Sequence, residues 1–467
     1  MIKENVEYKN IEQYFNSDKA CHIVGIGGVS MSPLAEILRG QGITVTGSDV
    51  GESQAITDLR ELGISVNIGH AAENIQNAGY IIRTAAARED NIEISTARAL
   101  GIPVFERAQA WGYIMKGYKN AICVSGVHGK TTTTSMVTHI LFAAKTDPTI
   151  MIGGSLPLLG SGYRLGKGDI IALESCEYYN SYHHFFPTIA VVLNIDADHL
   201  DFFNDLDDLK SSFRKFASLV PEDGYIVCNA DDANTMESLS ALGRELFTFG
   251  LDKDARVRGI NMRASGWRPK VDVLLDGKPF CKIKLRIPGV HNIRNALGAT
   301  AAAIAAGIPA KAIERGLYGY SGVSRRFEYK GSYNGAEIYI DYAHHPKELR
   351  ALIDTVSSLD YSRVILAFQP HTFSRTRALF SDFVTELSRI DIAFLAEIYA
   401  ARELDDLNVS SGDLADAIPG AQCCGSFYEL ADQIAGIARD GDIILFVGAG
   451  DICTVGDMLA GRDRDVV

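Results

Sequence analysis

A glycine-rich segment that carries a lysine and four threonines is the part of the chain best suited to chemistry. It reads SGVHGKTTTT, from Ser125 to Thr134, with an apolar run before it and a helical pattern after it. Glycines let backbone N–H groups converge on an anion, and the start of a helix adds a partial positive charge. The lysine would reach the outer phosphates of a nucleotide, and the next hydroxyl would bind Mg²⁺. The segment therefore predicts an ATP site formed by Gly126, Val127, His128, Gly129, Lys130, Thr131 and Thr132.

Polar residues follow two apolar runs further along the chain. Glu174 ends the run IIALE, and Asp198 and His199 come after TIAVVLNI. Because the carboxyl ends of parallel strands face one crevice, Glu174 could complete a Mg²⁺ site with Thr131. Taken alone, Glu174 fits a helix cap or a surface acid equally well. An isolated histidine such as His199 is more often structural than functional.

A second glycine cluster lies near the N-terminus, in CHIVGIGGVS, and Asp49 follows it at the end of the next β run. This arrangement superficially matches the dinucleotide-binding fingerprint, in which an acid after the second strand contacts a ribose. However, the third glycine of that fingerprint falls at Ser30. A dinucleotide-dependent dehydrogenase would also leave the segment around Lys130 without a role. We therefore do not favour that function.

The elements that position these residues alternate between short β runs and helical runs, which is typical of parallel βαβ units. The pattern restarts at the strand before Ser125 and again at EIYIDYAHHP. Because domains average about 150 residues, a chain of 467 residues also suggests about three domains. We expect a linker around Gln109–Gly117 and an interruption of the pattern near Gly316–Val323. The prediction is an α/β protein with domains at 1–108, 109–320 and 321–467.

The composition excludes several classes of protein. Hydrophobic residues make up 47% of the chain and charged residues 22%, as in globular proteins. The net charge of -13 argues against a nucleic-acid partner. The start, MIKENVEYKN, lacks the apolar core of a secretory signal, and no run reaches the ~18 apolar residues of a membrane helix. The eight cysteines are scattered without a CxxC pair, which indicates buried thiols in a cytoplasmic protein.

The spacing of the lysine segment distinguishes it from the common phosphate loop. Only two residues separate Gly126 from Gly129, whereas the common loop, GxxxxGK[ST], is longer. GxxGKT with further threonines resembles the Mur ligases, as do NIDADH, GVHNIRN, RRFE and IDYAHHP in the same order. The resemblance implies a Rossmann-like UDP-binding domain, a central P-loop ATPase-type α/β domain and a C-terminal Rossmann-like α/β domain. It also implies that the protein uses ATP and two Mg²⁺ ions to form an amide bond through an acyl phosphate intermediate.

The same resemblance assigns roles to residues outside the lysine segment. It implies adenine contacts for His291 and Asn295, a phosphate contact for Arg326 and a ribose contact for Asp341. The catalytic residues that it implies are Lys130, Glu174, His199 and His344, and the Mg²⁺ ligands are Thr131, Glu174 and His199. The UDP-sugar contacts that it implies are Gly27, Gly28, Val29, Ser48, Asp49 and His70. The amino-acid contacts are Tyr342, His344 and Arg375, with His344 as a hypothetical general base.

The runs GIGGVSMSPLAEIL, GSD, FQPHTFSRTR and VGAGDI further resemble members that add L-alanine to the lactyl carboxylate of UDP-N-acetylmuramate. There are departures from that pattern. Thr372 stands where the family often has an arginine for the incoming carboxylate, although Arg375 remains, and YIIRTAAAR replaces the more usual V-S-S-A-I. The alternatives are a sibling Mur ligase that adds another amino acid or a recycled peptide, and a non-catalytic regulator that binds the UDP-sugar. A monomer or a homodimer is expected.

Overall fold

The protein is described by a computed structural model that covers residues 11–84, 86–197, 202–252, 254–264, 266–401, 403 and 408–462. Contacts within the chain define two compact units. The first unit runs up to Ile260 and includes Val273–Cys281 and Asn295–Leu317. The second unit consists of Asn261–Asp272, Lys282–Arg294 and the chain from Tyr318 onward.

The first unit starts with a parallel sheet. Its elements are α1 (Ile11–Phe15), β1 (Cys21–Val24), α2 (Ser32–Gly40), β2 (Val45–Asp49), α3 (Gln54–Glu61), β3 (Ser65–Ile68), β4 (Tyr80–Arg83), α4 (Ile92–Leu100), β5 (Val104–Glu106) and α5 (Arg107–Met115). The five strands lie in the order β3-β2-β1-β4-β5, and all pairings are parallel. That order is the one found in doubly wound nucleotide-binding folds. The expected linker around Gln109–Gly117 lies largely within α5, where Trp111 is fully buried.

A second, ten-stranded sheet carries the lysine segment. In chain order its first elements are β6 (Asn120–Ser125), α6 (Lys130–Ala143), β7 (Thr149–Leu156), β8 (Ser161–Arg164), β9 (Ile170–Glu174), β10 (Ile189–Val192), α7 (Leu206–Ser218), β11 (Tyr225–Asn229), α8 (Ala233–Ser240) and β12 (Phe247–Gly250). They are followed by β13 (Val257–Arg263), β14 (Lys270–Leu275), β15 (Lys278–Lys284), α9 (Val290–Ala305) and α10 (Ala310–Gly319). The strand order is β15-β14-β13-β12-β11-β10-β6-β9-β7-β8, so β6 lies between β9 and β10, parallel to both.

The first part of the interruption expected near Gly316–Val323 is helical, because α10 ends at Gly319. Gly316 lies inside α10, and a Cβ added there would overlap the backbone of Ile140 in α6. Glycine at this position therefore allows two helices to approach closely instead of ending one of them. The three predicted domain ranges stay predictions.

The third sheet belongs to the second unit. Its elements are β16 (Glu328–Tyr333), β17 (Ala336–Asp341), α11 (Pro346–Ser357), β18 (Arg363–Phe368), α12 (Phe373–Ala378), α13 (Phe380–Leu387), β19 (Ile392–Ala396), α14 (Ser411–Ala417), β20 (Gln422–Cys424), α15 (Phe427–Ile437), β21 (Asp442–Val447) and α16 (Cys453–Arg462). The six strands have the order β16-β17-β21-β18-β19-β20, and only the β16–β17 pair is antiparallel. Three mainly parallel sheets covered by helices confirm the predicted α/β fold class.

Two further expectations concern cysteines and membranes. All eight cysteines are free thiols, and Cys21, Cys123 and Cys228 are buried. Among the described helices, none has both the length and the apolar composition that crossing a bilayer requires.

Candidate functional site

The loop between β6 and α6 requires glycine at two points. Gly126 has φ +136° and Gly129 has φ +83°, both in the region that favours glycine. A Cβ added to Gly129 would lie 2.5 Å from Oδ1 of Asn295. The loop therefore packs directly against Asn295 on α9, a residue that the sequence predicted for the ATP site.

Asn194 holds the same loop from the other side, and the sequence assigned it no role. Its Nδ2 donates to the carbonyl of His128 at 2.9 Å, and its Oδ1 accepts from the N–H of His128 at 2.8 Å. The N–H of Val127 donates to the Asn194 carbonyl at 3.2 Å. The sequence feature that could have identified Asn194 is its position directly after the apolar run of β10, within NIDADH.

Lys130 begins α6 and its ammonium lies against a buried acid. Nζ donates to the carbonyls of Gly126 at 2.6 Å and Val127 at 3.1 Å, and to both carboxylate oxygens of Glu177 at 3.0 Å. Burial disfavours the charged ammonium, but the charges of Glu177 and Glu174 outweigh burial and raise the pKa of Lys130. Glu177 is fully buried, and sequence reasoning missed it. The signal was a second acid three residues after the one that ends the strand.

Thr131 and Glu174 come together as predicted for a cation site. Thr131 Oγ1 donates to Glu174 Oε1 at 3.0 Å, and the N–H of Gly153 donates to Glu174 Oε2 at 2.7 Å. A hydroxyl and a carboxylate at the start of a helix are oxygen ligands of the kind that Mg²⁺ prefers. Thr132 is buried in the same turn of α6.

His199 and Asp198 lie outside the described residues, so their places in the site stay predictions. Within the described part of the chain, no group of three or more His, Cys, Asp or Glu side chains could hold a metal ion.

The N-terminal glycine loop lies at the carboxyl ends of β1 and β2. The N–H of Gly27 donates to Oδ2 of Asp49 at 2.8 Å, and a Cβ on Gly28 would lie 3.3 Å from the carbonyl of Gly25. Val29 is 60% exposed at the tip of the loop. The structure thus brings the predicted diphosphate loop and Asp49 together.

Glu93, which the sequence did not single out, is the centre of a buried network beside this loop. It accepts from Ser48 Oγ at 2.6 Å and Asn74 Nδ2 at 2.6 Å, and lies 3.0 Å from His70 Nδ1. Burial would raise the pKa of Glu93, but the nearby His22 and the hydrogen bonds from Ser48 and Asn74 together lower it to about 2. An acid in the first turn of a helix is ordinary, so NIEIS contained no signal for this role.

Asp341, at the carboxyl end of β17, is the first member of a cluster in the second unit. It accepts from the N–H groups of Phe327 and Ala343, both at 2.8 Å. Burial raises the pKa of its carboxyl above the ordinary value, and the charge of Arg326 opposes that shift. The guanidinium of Arg326 also lies 4.9 Å from the ring centre of Tyr342, so these three predicted residues are close together.

His344 follows on the same loop with a defined hydrogen-bonding pattern. Its Nδ1 lies 3.0 Å from the carbonyl of Tyr342 and 3.3 Å from a carboxylate oxygen of Glu348. Both partners accept, so Nδ1 carries the hydrogen and the neutral ring has its lone pair on Nε2. Burial lowers the pKa of His344, although Glu348 opposes the shift. The ring is therefore neutral at neutral pH.

Thr372 occupies a strained backbone position. Its φ is +67°, which is rare for a β-branched residue, and it caps the N-terminus of α12. The N–H of Thr372 donates to the carbonyl of Tyr399, and the N–H of Tyr399 donates to the carbonyl of Pro370, both at 2.9 Å. Such strain persists where the surrounding structure enforces it, often at functional sites.

Arg375 and His291 complete the predicted residues of the second unit. Nη1 of Arg375 lies 3.2 Å from Nδ1 of His371, whose ring centre is 5.7 Å from that of His344. Burial, with Arg294 and Arg326 nearby, lowers the pKa of His291 to about 4. The second unit therefore gathers a neutral histidine, a tyrosine and several arginines at one end of its sheet.

Family models match most of the chain in three consecutive segments. The model for the Mur ligase family, catalytic domain, matches residues 20–119. The Mur ligase middle domain matches residues 124–303, and the Mur ligase, glutamate ligase domain, matches residues 325–450.

Individual proteins resemble the chain over nearly its full length. The UDP-N-acetylmuramate–L-alanine ligase of Clostridium acetobutylicum is 43% identical over 449 residues, covering 95% of this chain and 98% of that protein. The protein of the same name from Caldanaerobacter subterraneus subsp. tengcongensis is 42% identical, covering 96% of this chain and 98% of that protein. The crystal structure of the UDP-N-acetylmuramate–alanine ligase of Thermotoga maritima has a TM-score of 0.80 at 28% identity, covering 96% of this chain and 100% of that one.

Proposed function

This chain belongs to the Mur ligase family, and we propose that it joins L-alanine to the lactyl carboxylate of UDP-N-acetylmuramate at the expense of ATP. The reaction is a step in peptidoglycan precursor synthesis. The observation that carries the proposal is 43% identity to an L-alanine ligase over 95% of this chain. The phosphate loop, the Thr131–Glu174 pair and the His344 cluster supply the parts that such a reaction needs.

A carboxylate does not acylate an amine at neutral pH, because its oxygens are poor leaving groups. In the proposed sequence, a lactyl carboxylate oxygen attacks the γ-phosphorus of ATP, and the bond to ADP breaks. The amine of L-alanine then attacks the acyl carbon through a tetrahedral intermediate. The C–O bond to phosphate breaks, and the nitrogen loses a proton. The products are the amide, ADP, phosphate and a proton.

The loop from Gly126 to Thr132 would bind the phosphates of ATP through backbone N–H groups and Lys130. Phosphoryl transfer depends mainly on positioning and on charge stabilisation, and the protonated Lys130 serves both. In our proposal the ammonium exchanges its contacts with loop carbonyls for phosphate oxygens, while Glu177 keeps it charged and aligned.

ATP would also contact residues further along the chain. His291 and Asn295 are the proposed adenine contacts. Arg326 is the proposed phosphate contact and Asp341 the proposed ribose contact. This assignment is supported by the convergence of Arg326 and Asp341 in the second unit and by the packing of Asn295 on the phosphate loop.

Thr131 and Glu174 fit a Mg²⁺ site, because their oxygens converge at the start of α6. His199 is the further ligand that we propose for a second ion. A bound Mg²⁺ would offset negative charge on the phosphates. The chain itself contributes the fixed carboxylate, held in place by the N–H of Gly153.

His344 is the residue that we propose to receive the amine. With Nδ1 donating to the Tyr342 carbonyl, Nε2 can accept a hydrogen bond, or a proton, from an amine. Tyr342 would help to orient the amino acid. Arg375 would bind its carboxylate, because the guanidinium fork matches a carboxylate in geometry and charge.

In the first sheet, the proposed diphosphate contacts are the N-terminal glycine loop residues Gly27, Gly28 and Val29. Ser48, Asp49 and His70 would contact the uridine. Glu93 would fix Ser48 and His70 from behind. We place the enzyme in the cytoplasm, as a monomer or a homodimer.

One coupled assay tests the activity. ADP release is measured with UDP-N-acetylmuramate and, in turn, L-alanine, glycine, L-serine and the tripeptide that a recycling ligase would add. We expect release with L-alanine and little with the others. ADP release with the tripeptide alone would reassign the chain to the recycling reaction. No release with any acceptor would leave the non-catalytic UDP-sugar-binding regulator as the function.

A further inference from the structure

The predicted diphosphate site contains an acid and no cationic side chain. Its proposed contacts are the backbone of Gly27, Gly28 and Val29, with Asp49 close by. The N–H of Gly27 already donates to the Asp49 carboxylate at 2.8 Å. A diphosphate beside Asp49 would meet like charge, and that repulsion is strong where water is partly excluded. A cation close to the loop would offset it.

Arg107 reaches this loop from another element. It is the first residue of α5, and its Nη1 donates to Oγ of Ser30, the residue directly after Val29. One turn further along α5, Nε1 of Trp111 donates to the Ser30 carbonyl at 3.0 Å. The helix therefore holds a guanidinium against the glycine loop, just before α2 begins.

In the described part of the chain, Arg107 is influenced by the charge of the adjacent Glu106 but forms no ion pair with it. No salt bridge joins it to a carboxylate there, whereas nearby Arg83 pairs with Glu89 at 2.8 Å and Glu106 at 3.2 Å. Cys176 also lies near Arg107, but burial raises the pKa of that thiol to about 11, so it is neutral. Burial lowers the pKa of Arg107 from its ordinary value, yet an arginine keeps its proton in proteins.

We propose that Arg107 binds the diphosphate of the UDP-sugar and is the cationic contact of that site. This inference rests on the proposed function, since it takes the UDP-sugar as the ligand. The hydrogen bond to Ser30 uses one of the guanidinium's five N–H groups, so others can form paired bonds to phosphate oxygens. The hydrogen bond to the Ser30 hydroxyl holds the guanidinium beside the loop. Arg107 thus occupies the position from which a phosphate on the Gly27–Val29 backbone can be reached.

Calorimetric binding of uridine, UDP and UDP-N-acetylmuramate to the full-length protein tests the proposal. Arg107→Met should weaken UDP by roughly ten- to a hundredfold, the range expected for a charge-assisted bond. Uridine, which lacks phosphate, should bind the variant and the wild type equally. Arg107→Lys should restore part of the UDP affinity, because it keeps the charge but loses the planar fork. Added salt should weaken UDP binding more in the wild type than in Arg107→Met.

Two further variants separate binding from a structural role. Arg39→Met removes an exposed cation from α2 and should leave UDP affinity unchanged. Ser30→Ala removes the hydroxyl anchor but keeps the guanidinium, and should cost less UDP affinity than Arg107→Met. An equal loss in Ser30→Ala would mean that Arg107 acts only by shaping the loop, and the proposal would be wrong. Thermal unfolding identifies any variant that fails to fold. If Arg107→Met does not fold, the UDP affinity of Arg107→Lys decides whether the proposal holds.

The remaining outcomes distinguish this inference from the proposed function. If Arg107→Met binds UDP as tightly as the wild type does, the inference is overturned but the proposed function is not. Loss of UDP-N-acetylmuramate affinity with unchanged UDP affinity would assign Arg107 to the muramoyl carboxylate, again against the inference. A wild type that binds none of the three compounds would overturn the proposed function and the inference together.

Discussion

Alanine at position 129 would strain the phosphate loop in two separable ways. Gly129 has φ +83°, and left-handed backbone costs a residue with a Cβ about 1–2 kcal/mol. The new Cβ would also lie 2.5 Å from Asn295 Oδ1, closer than real contacts allow, and relieving such overpacking costs about 1–3 kcal/mol. We expect Gly129→Ala to lower the free energy of unfolding by about 2–5 kcal/mol.

Gly307 supplies the matched control. Its φ is +78°, and no atom lies within 4 Å of a Cβ added there. Gly307→Ala should therefore cost only the backbone strain of about 1–2 kcal/mol. In the double variant Gly129→Ala/Asn295→Ala, the side chain that meets the new Cβ is truncated. The part of the lost unfolding free energy that comes from overpacking should then disappear. A double-mutant cycle would report this as a favourable coupling energy between positions 129 and 295.

The assays are urea unfolding and the kinetics of ADP release. If about 3 kcal/mol of the distortion acts on phosphate binding, kcat/KM for ATP should fall by roughly a hundredfold in Gly129→Ala. Gly307→Ala should keep kcat/KM for ATP near the wild-type value. The reasoning is refuted if Gly129→Ala is as stable and as active as Gly307→Ala, because the loop would then not pack against Asn295.

Three other predictions test separate parts of the site. Lys130→Ala should abolish ADP release but leave the affinity for UDP-N-acetylmuramate, measured by calorimetry, intact, because the proposed UDP contacts belong to another sheet. Loss of both ADP release and UDP-N-acetylmuramate affinity would contradict the assignment of the two ligands to separate sheets. Glu93 has a pKa of about 2 against an ordinary 4.5, so it contributes about 3 kcal/mol of stability above pH 4.5, lost as pH falls through about 2. The stability gap between wild type and Glu93→Gln should therefore narrow between pH 6 and pH 3, and a constant gap would exclude an ionised Glu93. Because burial lowers the pKa of His344, the acid limb of kcat at saturating L-alanine should lie below pH 6.5. Glu348→Gln should move the acid limb to still lower pH, since the charge of Glu348 raises the pKa of His344. An unchanged kcat in His344→Ala would exclude His344 as the general base.

The sequence by itself determined the features that depend on neighbouring residues. The phosphate loop could be predicted because a strand, two glycines and a helix start within ten residues define its backbone locally. The α/β class followed from alternating apolar runs, and the order of motifs indicated the family. Thr372 was flagged as a departure from the family, although its strained φ of +67° could not be read from its identity.

Only the tertiary structure decided which side chains meet across the sheets. Glu93 contacts Ser48 from 45 residues away, Glu177 contacts Lys130 from 47, and Arg107 contacts Ser30 from 77. These pairs depend on sheet order, which places β4 beside β1 and β9 beside β6, and hydrophobic periodicity does not specify that order. The sequence therefore located the loops that would bind phosphates. The fold decided which buried acids and which arginine set their charge, because such contacts form only when distant strands become neighbours.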